Sequence, residues 1–93
     1  MTSGIDLGLT GQKALITGGS RGIGRATALM FAKAGCDVAV SYQHRDEAAA
    51  AVREEISRLG RECLVYKAEI SREDDVRAMV EGCRQAWGRV DIL

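Results

Sequence analysis

Short runs of consecutive apolar residues alternate along this chain with longer stretches in which apolar residues recur every three or four positions, and glycine punctuates the junctions. The short runs are Lys13–Thr17, Asp37–Tyr42, Cys63–Tyr66 (continuing toward Ala68) and Val90–Leu93. Continuous apolar runs of this length suit strands covered on both faces. Between them, Ile23, Ala26 and Met30 with the neighbouring Leu29 and Phe31 predict a first helix over 23–34. Ala48, Ala49, Val52, Ile56 and Leu59 predict a second, and Val76, Met79, Val80, Cys83 and Trp87 a third. Gly35, Gly60 and Gly88 stand just past the three helices, where a helix end favours glycine. Ser71 and Asp74 have the spacing of a capping box at the start of the third. The order β-α-β-α-β-α-β implies an α/β fold with a parallel sheet and right-handed crossovers.

A chain of 93 residues makes one small domain at most. Its last residues, Val90-Asp91-Ile92-Leu93, stop inside an apolar run. The expectation is that residues 1–93 are the N-terminal part of a single domain, cut within its fourth strand. In a doubly wound sheet the first two helices cover one face and the third crosses to the other. An exposed apolar patch on that third-helix face, and a tendency to self-associate through it, are therefore expected.

Thirteen basic residues balance thirteen acidic ones, so no broad field draws the chain to nucleic acid or to an anionic membrane. Cys36, Cys63 and Cys83 are odd in number and show no paired spacing. They read as small buried hydrophobes rather than as a disulfide framework or a metal site. Neither a secretory leader nor a membrane-length apolar run is visible, which makes the cytoplasm the expected location. His44, the single histidine, reads as a solvated turn residue, and Trp87 as helix packing.

The segment that carries chemistry is Thr17-Gly18-Gly19-Ser20-Arg21-Gly22-Ile23-Gly24. It falls between the first strand and the first helix. There, glycines let backbone N–H groups approach a pyrophosphate, and the helix start offers unpaired N–H groups and a partial positive charge. Gly18 supplies the tight turn, Gly22 the close approach, and Gly24 the packing of helix near strand. A glycine triplet alone is weak evidence; inside a βαβ unit it points to a dinucleotide.

The spacing T-G-x-x-x-G-I-G, the lead-in Leu9–Gly18 and the closing Gly88-Arg89-Val90-Asp91-Ile92-Leu93 resemble the short-chain dehydrogenase/reductase family. Within it the chain is most similar to the 3-oxoacyl-carrier-protein reductase-like group. The resemblance implies a Rossmann-type sheet and hydride transfer between a nicotinamide cofactor and a carbonyl or alcohol. It also bears on the cofactor. The position at the end of the second strand where NAD-type members carry an acid falls on Tyr42, while Arg21, Arg45 and the Ser41 hydroxyl are candidate partners for a 2′-phosphate. This favours NADP(H) over NAD(H). Glu69-Ile70 takes the place of the family's Asp-aliphatic pair beside the adenine. The candidate cofactor residues are thus Gly18, Ser20, Arg21, Gly22, Ile23, Gly24, Ser41, Tyr42, Arg45, Glu69 and Ile70.

The family's proton chemistry uses a Tyr, a Lys four residues later, a Ser and a fourth-strand Asn. Here Tyr42 is followed four residues on by Asp46, and Tyr66 by Ile70. No catalytic residue carries over, and the 93 residues alone are expected to be inactive. Two readings follow: the nucleotide-binding part of an NADP(H)-dependent oxidoreductase, or a stand-alone, non-catalytic dinucleotide-binding module that self-associates. Homo-oligomerisation is an expectation of both.

Overall fold

The computed structural model describes residues 10–18 and 22–92. Along them run β1 (Lys13–Ile16), α1 (Gly22–Lys33), β2 (Asp37–Tyr42), α2 (Asp46–Arg58), β3 (Cys63–Lys67) and α3 (Glu73–Trp87). The strands form one parallel sheet in the order β1-β2-β3, with Ala14 beside Val38 and Val40 beside Val65. The fourth strand begins on the other side of β1. Ile92 bridges Ala14 in parallel, and the Leu15 N–H donates to the Ile92 carbonyl at 2.8 Å. The chain therefore steps outward through β2 and β3, then returns past both to the far edge of β1.

That reversal puts helices on both faces. Ala14, Val38, Val40 and Cys63 point toward α1 and α2, where they meet Ala28, Ala32, Val52 and Ile56. Leu15 and Ala39 point the other way and meet Met79 and Cys83 of α3. Strict alternation along the strands divides the core in two. All three cysteines are buried; burial pushes the Cys63 thiol up to about 11 and also raises those of Cys36 and Cys83, which disfavours the thiolate at neutral pH.

Three expectations change. In α1 the buried stripe is Ala28 and Ala32, while Ile23 (86% exposed) and Met30 (69%) point outward and Ala26 is exposed with them. Alanines face the sheet, Leu29 and Phe31 are half-buried against the same core, and Ile23 and Met30 are left on the opposite side. At α3, Ser71 is not the cap. The Arg72 N–H donates to the Glu69 carbonyl, folding Ser71 into a turn, and the helix starts at Glu73 behind an extended Arg72. The side chain that reaches back is Asp75, whose Oδ2 accepts from the Glu69 N–H at 2.9 Å. Finally, the apolar residues of the third-helix face, among them Val80 and Val90, are half-buried rather than fully exposed. Leu64, Tyr66 and Trp87 wall its core, and the exposed large apolar residues among the described ones are Ile23, Met30, Leu59 and Ile70. Trp87 is half-buried there, with its Nε1 donating to Glu62 Oε1 at 2.8 Å.

At the amino ends of the strands one buried carboxylate gathers three segments. Asp37 opens β2 and accepts from the Lys13 ammonium of β1. Its Oδ1 also accepts from Arg61 Nη2 at 3.1 Å and from the Glu62 N–H at 2.9 Å. Burial pushes this carboxyl up, but Lys13, the Glu62 amide and Arg61 outweigh it and hold it below the usual carboxylate range. A depressed folded-state pKa stabilises the fold above the unfolded value, near 4, and that contribution is lost as pH falls through the lower folded value. Asp37→Asn should cost about 2–4 kcal/mol at pH 7, because it strands two partly buried cations. The check is urea unfolding at pH 7 and pH 3: the gap between variant and wild type should shrink at the lower pH, and a pH-independent gap would refute the linkage.

The turn from α1 to β2 depends on Gly35, whose φ is +103°. A Cβ built there would stand 3.0 Å from the Thr10 Cα. Gly35→Ala should therefore destabilise by about 1–3 kcal/mol through strain and this backbone clash. A chemical-denaturation midpoint equal to wild type would show that the turn does not need glycine.

Candidate functional site

In a parallel sheet all carboxyl ends lie on one side, so the loops after β1, β2 and β3 converge there. After β1 the chain turns at Thr17-Gly18 and re-enters regular structure at Gly22, the first residue of α1. Gly18 (φ +68°) and Gly22 (φ +63°) both adopt the left-handed conformation that glycine tolerates, and a Cβ built at either would meet open space. Gly24 lies half-buried within α1, and Ile23 is exposed beside it. Two candidates of the loop, Ser20 and Arg21, lie outside the described residues.

The electrostatics of the three helix starts differ. The first turn of α2 holds Asp46 and Glu47, and that of α3 holds Glu73, Asp74 and Asp75. The first turn of α1 holds no acid. Acids near a helix start satisfy its positive end. Alone of the three, α1 leaves that end for an anion from outside, and it is the one preceded by the glycine loop.

Ser41 and Tyr42 close β2 and diverge. Ser41 is buried, and its Oγ accepts from the Gly18 N–H at 3.1 Å, which ties the glycine loop to the neighbouring strand. Its hydroxyl is therefore an anchor of the loop. Tyr42, half-buried, follows Val38 and Val40 onto the α2 side and lines a groove with Asp46, Ala49, Arg53 and Val65. The residue that closes β2 is a tyrosine and not an acid; the carboxylates near this strand end, Asp46 and Glu69, come from the start of α2 and from the loop after β3. Arg45 precedes α2 with φ 67°, the only positive φ on a non-glycine among the described residues, and is exposed. His44 is an exposed turn residue, as its sequence context predicts.

After β3, Glu69 is engaged from two directions. Its Oε1 accepts from Gln43 Nε2 at 3.0 Å, and its N–H donates to Asp75. The adjacent Ile70 is 57% exposed. Thus Gly18, Gly22, Ser41, Tyr42, Arg45, Glu69 and Ile70 gather at the carboxyl ends of three strands. Sequence reasoning passed over Gln43 and Lys67, which join the loops after β2 and β3; Lys67 was legible only as the next residue on the Cys63–Val65 face. Among the described residues no group of acids, histidines and cysteines is arranged to hold a metal ion.

The family model for short chain dehydrogenase matches residues 12–93, nearly the whole chain. The chain belongs to the short-chain dehydrogenase family. Among curated members, the 3-oxoacyl-[acyl-carrier-protein] reductase of Staphylococcus epidermidis is 42% identical over 82 residues, covering 88% of this chain and 34% of its own length. The corresponding reductase of Synechocystis is 41% identical over 85 residues, covering 91% and 34%. A short-chain dehydrogenase from Burkholderia cenocepacia, solved in complex with NADP, superposes with a TM-score of 0.87 at 42% identity, covering 89% of this chain and 34% of that one. A blue fluorescent protein from a metagenomic library, solved in complex with NADPH, superposes at 0.86 with 35% identity over the same shares. The chain thus spans about a third of the length of these short-chain dehydrogenases.

The Ser41 anchor is testable. Ser41→Ala removes the acceptor of the Gly18 N–H and should cost about 1–2 kcal/mol while loosening the loop. Hydrogen exchange at the Gly18 amide should accelerate in the variant. Unchanged protection there would mean the hydroxyl is dispensable.

Proposed function

We propose that these residues are the NADP(H)-binding portion of an oxidoreductase that moves hydride between a nicotinamide cofactor and a carbonyl or alcohol substrate. The observation that carries it is the acid-free start of α1 set behind left-handed glycines at the carboxyl ends of a parallel sheet. The residues fit such a group: a Cβ built at Gly18 or Gly22 would meet nothing within 4 Å, and α1 is the one described helix whose first turn has no carboxylate. Gly18, Gly22, Ile23 and Gly24, with Ser20 and Arg21, would hold the pyrophosphate. Glu69 and Ile70 would border the adenine. When bound, the dinucleotide supplies the hydride.

Preference for the 2′-phosphorylated form rests on the end of β2. An acid there would accept from the ribose hydroxyl and repel a phosphate; this chain places Tyr42, followed by the exposed Arg45. Its relatives solved with NADP and NADPH support the same reading. The family relatives are about three times longer, so the proposal takes residues 1–93 as one part of a single domain whose remainder supplies the proton-transfer groups. Homo-oligomerisation and a cytoplasmic location complete it; among the described residues no helix is long and apolar enough to cross a membrane.

The experiment pairs mass spectrometry of the purified protein, denatured and native, with NADPH and NADH titrations followed by nicotinamide fluorescence. NADPH should bind more tightly, and Arg45→Ala should weaken it about tenfold while sparing NADH, as loss of one charge-assisted phosphate contact implies. Equal affinity for both dinucleotides would refute the NADP(H) preference. A mass of 93 residues would favour the stand-alone binding module.

A further inference from the structure

Lys67 ends β3 in register with Tyr42, the last residue of β2. Its side chain lies on the α2 side of the sheet, as those of Cys63 and Val65 do. From there its Nζ reaches Asp46 Oδ1 at 3.4 Å. Asp46 is the first residue of α2 and follows Arg45 directly. Both members of the pair are well exposed, at 62% for Lys67 and 70% for Asp46, and an exposed pair of this kind adds little to the stability of a fold. Its position is more telling than its strength. Arg45 makes no ion pair among the described residues, while the carboxylate next to it is occupied by a cation from another strand.

We infer that Lys67 is a specificity-determining positioning residue: it neutralises Asp46, so that Arg45 remains available to a phosphomonoester on the adenosine ribose. The inference rests on the NADP(H) reading above. Without Lys67, the Asp46 carboxylate becomes the acid adjoining Arg45. It then competes for the guanidinium and repels an incoming dianion. The non-phosphorylated dinucleotide brings no such charge to this place and is indifferent to the change. A second link keeps the two loops in the same relation, since Gln43 donates to Glu69 and the Ala68 N–H donates to the Tyr42 carbonyl at 2.9 Å. Removing the Lys67 charge therefore alters the local field while other bonds hold the strand ends together.

The test is a double-mutant cycle on the purified protein at low ionic strength. Wild type, Lys67→Met, Asp46→Asn and the double variant are titrated with NADPH and NADH by fluorescence. Adenosine 2′,5′-bisphosphate and 5′-AMP serve as competing probes of the adenosine end alone. Lys67→Met should weaken NADPH and the bisphosphate roughly three- to tenfold, leaving NADH and 5′-AMP unchanged, the scale expected for an unscreened charge a few ångströms away in a wet site. Adding Asp46→Asn should restore wild-type affinity, Lys67→Arg should preserve it, and 0.5 M salt should erase the difference, since exposed charges are then screened. A double variant as weak as Lys67→Met overturns the neutralising role, as does an equal loss for both dinucleotides or an unchanged ratio. Should wild type itself show no preference for NADPH, the NADP(H) reading fails first and the inference falls with it; a preference that survives Lys67→Met sinks the inference alone. Thermal melts of all five proteins separate these outcomes from loss of fold.

Discussion

The carboxylate of Asp37 meets Lys13 from β1 and both Arg61 and the Glu62 amide from the approach to β3, at the amino ends of three parallel strands. Parallel strands receive no help from tight hairpins, because each neighbour arrives through a helix. Something must hold their starts level. Lys13 and Asp37 are register partners, and the Val38 N–H donates to the Glu62 carbonyl just beyond the carboxylate. The tie thus fixes register on both sides of β2 with one side chain. Asp91 extends it by accepting from the Lys13 N–H while held by Arg89, so the segment entering the far edge of β1 starts from the same level.

Once the amino ends are level, the carboxyl ends arrive level as well, and this gives the opposite rim its chemistry. Three loops meet there, each followed by a helix start. Two of those helices bring their own acids. The third brings left-handed glycine and a first turn without an acid. The rim is therefore uneven in charge: the start of α1 beside β1 carries no acid, whereas the helix starts after β2 and β3 carry five. Ser41 joins the two regions, being buried in the sheet while its hydroxyl holds the Gly18 amide.

Much of this was legible because it is periodic. Runs such as Val38-Ala39-Val40 and stripes such as Ala49-Val52-Ile56 carry their secondary structure in their spacing, and Gly18 and Gly22 mark the turn between β1 and α1. The α1 stripe misled for a physical reason. Alanine contrasts weakly with its surroundings, so Ile23 and Met30 dominated the pattern although Ala28 and Ala32 face the sheet. Ser71 misled because a capping pattern cannot show that the preceding loop folds into a turn. The Asp37 tie was illegible for a different reason. It joins residues 13, 37, 61 and 62, and only the register of the sheet brings them together. The same holds for Gln43 with Glu69 and for Lys67 with Asp46, each linking loops more than twenty residues apart.

The inward alanines of α1 have a consequence for the rim that they never touch. Ala28 and Ala32 lie against Ala14, Val38 and Val40, and their small size sets how near the helix axis runs to the sheet. The same helix begins at Gly22, on the rim where the strands end. A methylene added at 28 or 32 would act as a shim under one end of a lever: it would tilt the rod and displace its far tip. The volume of two buried methyl groups is in this way a tolerance on the position of the α1 start, set by packing well below it.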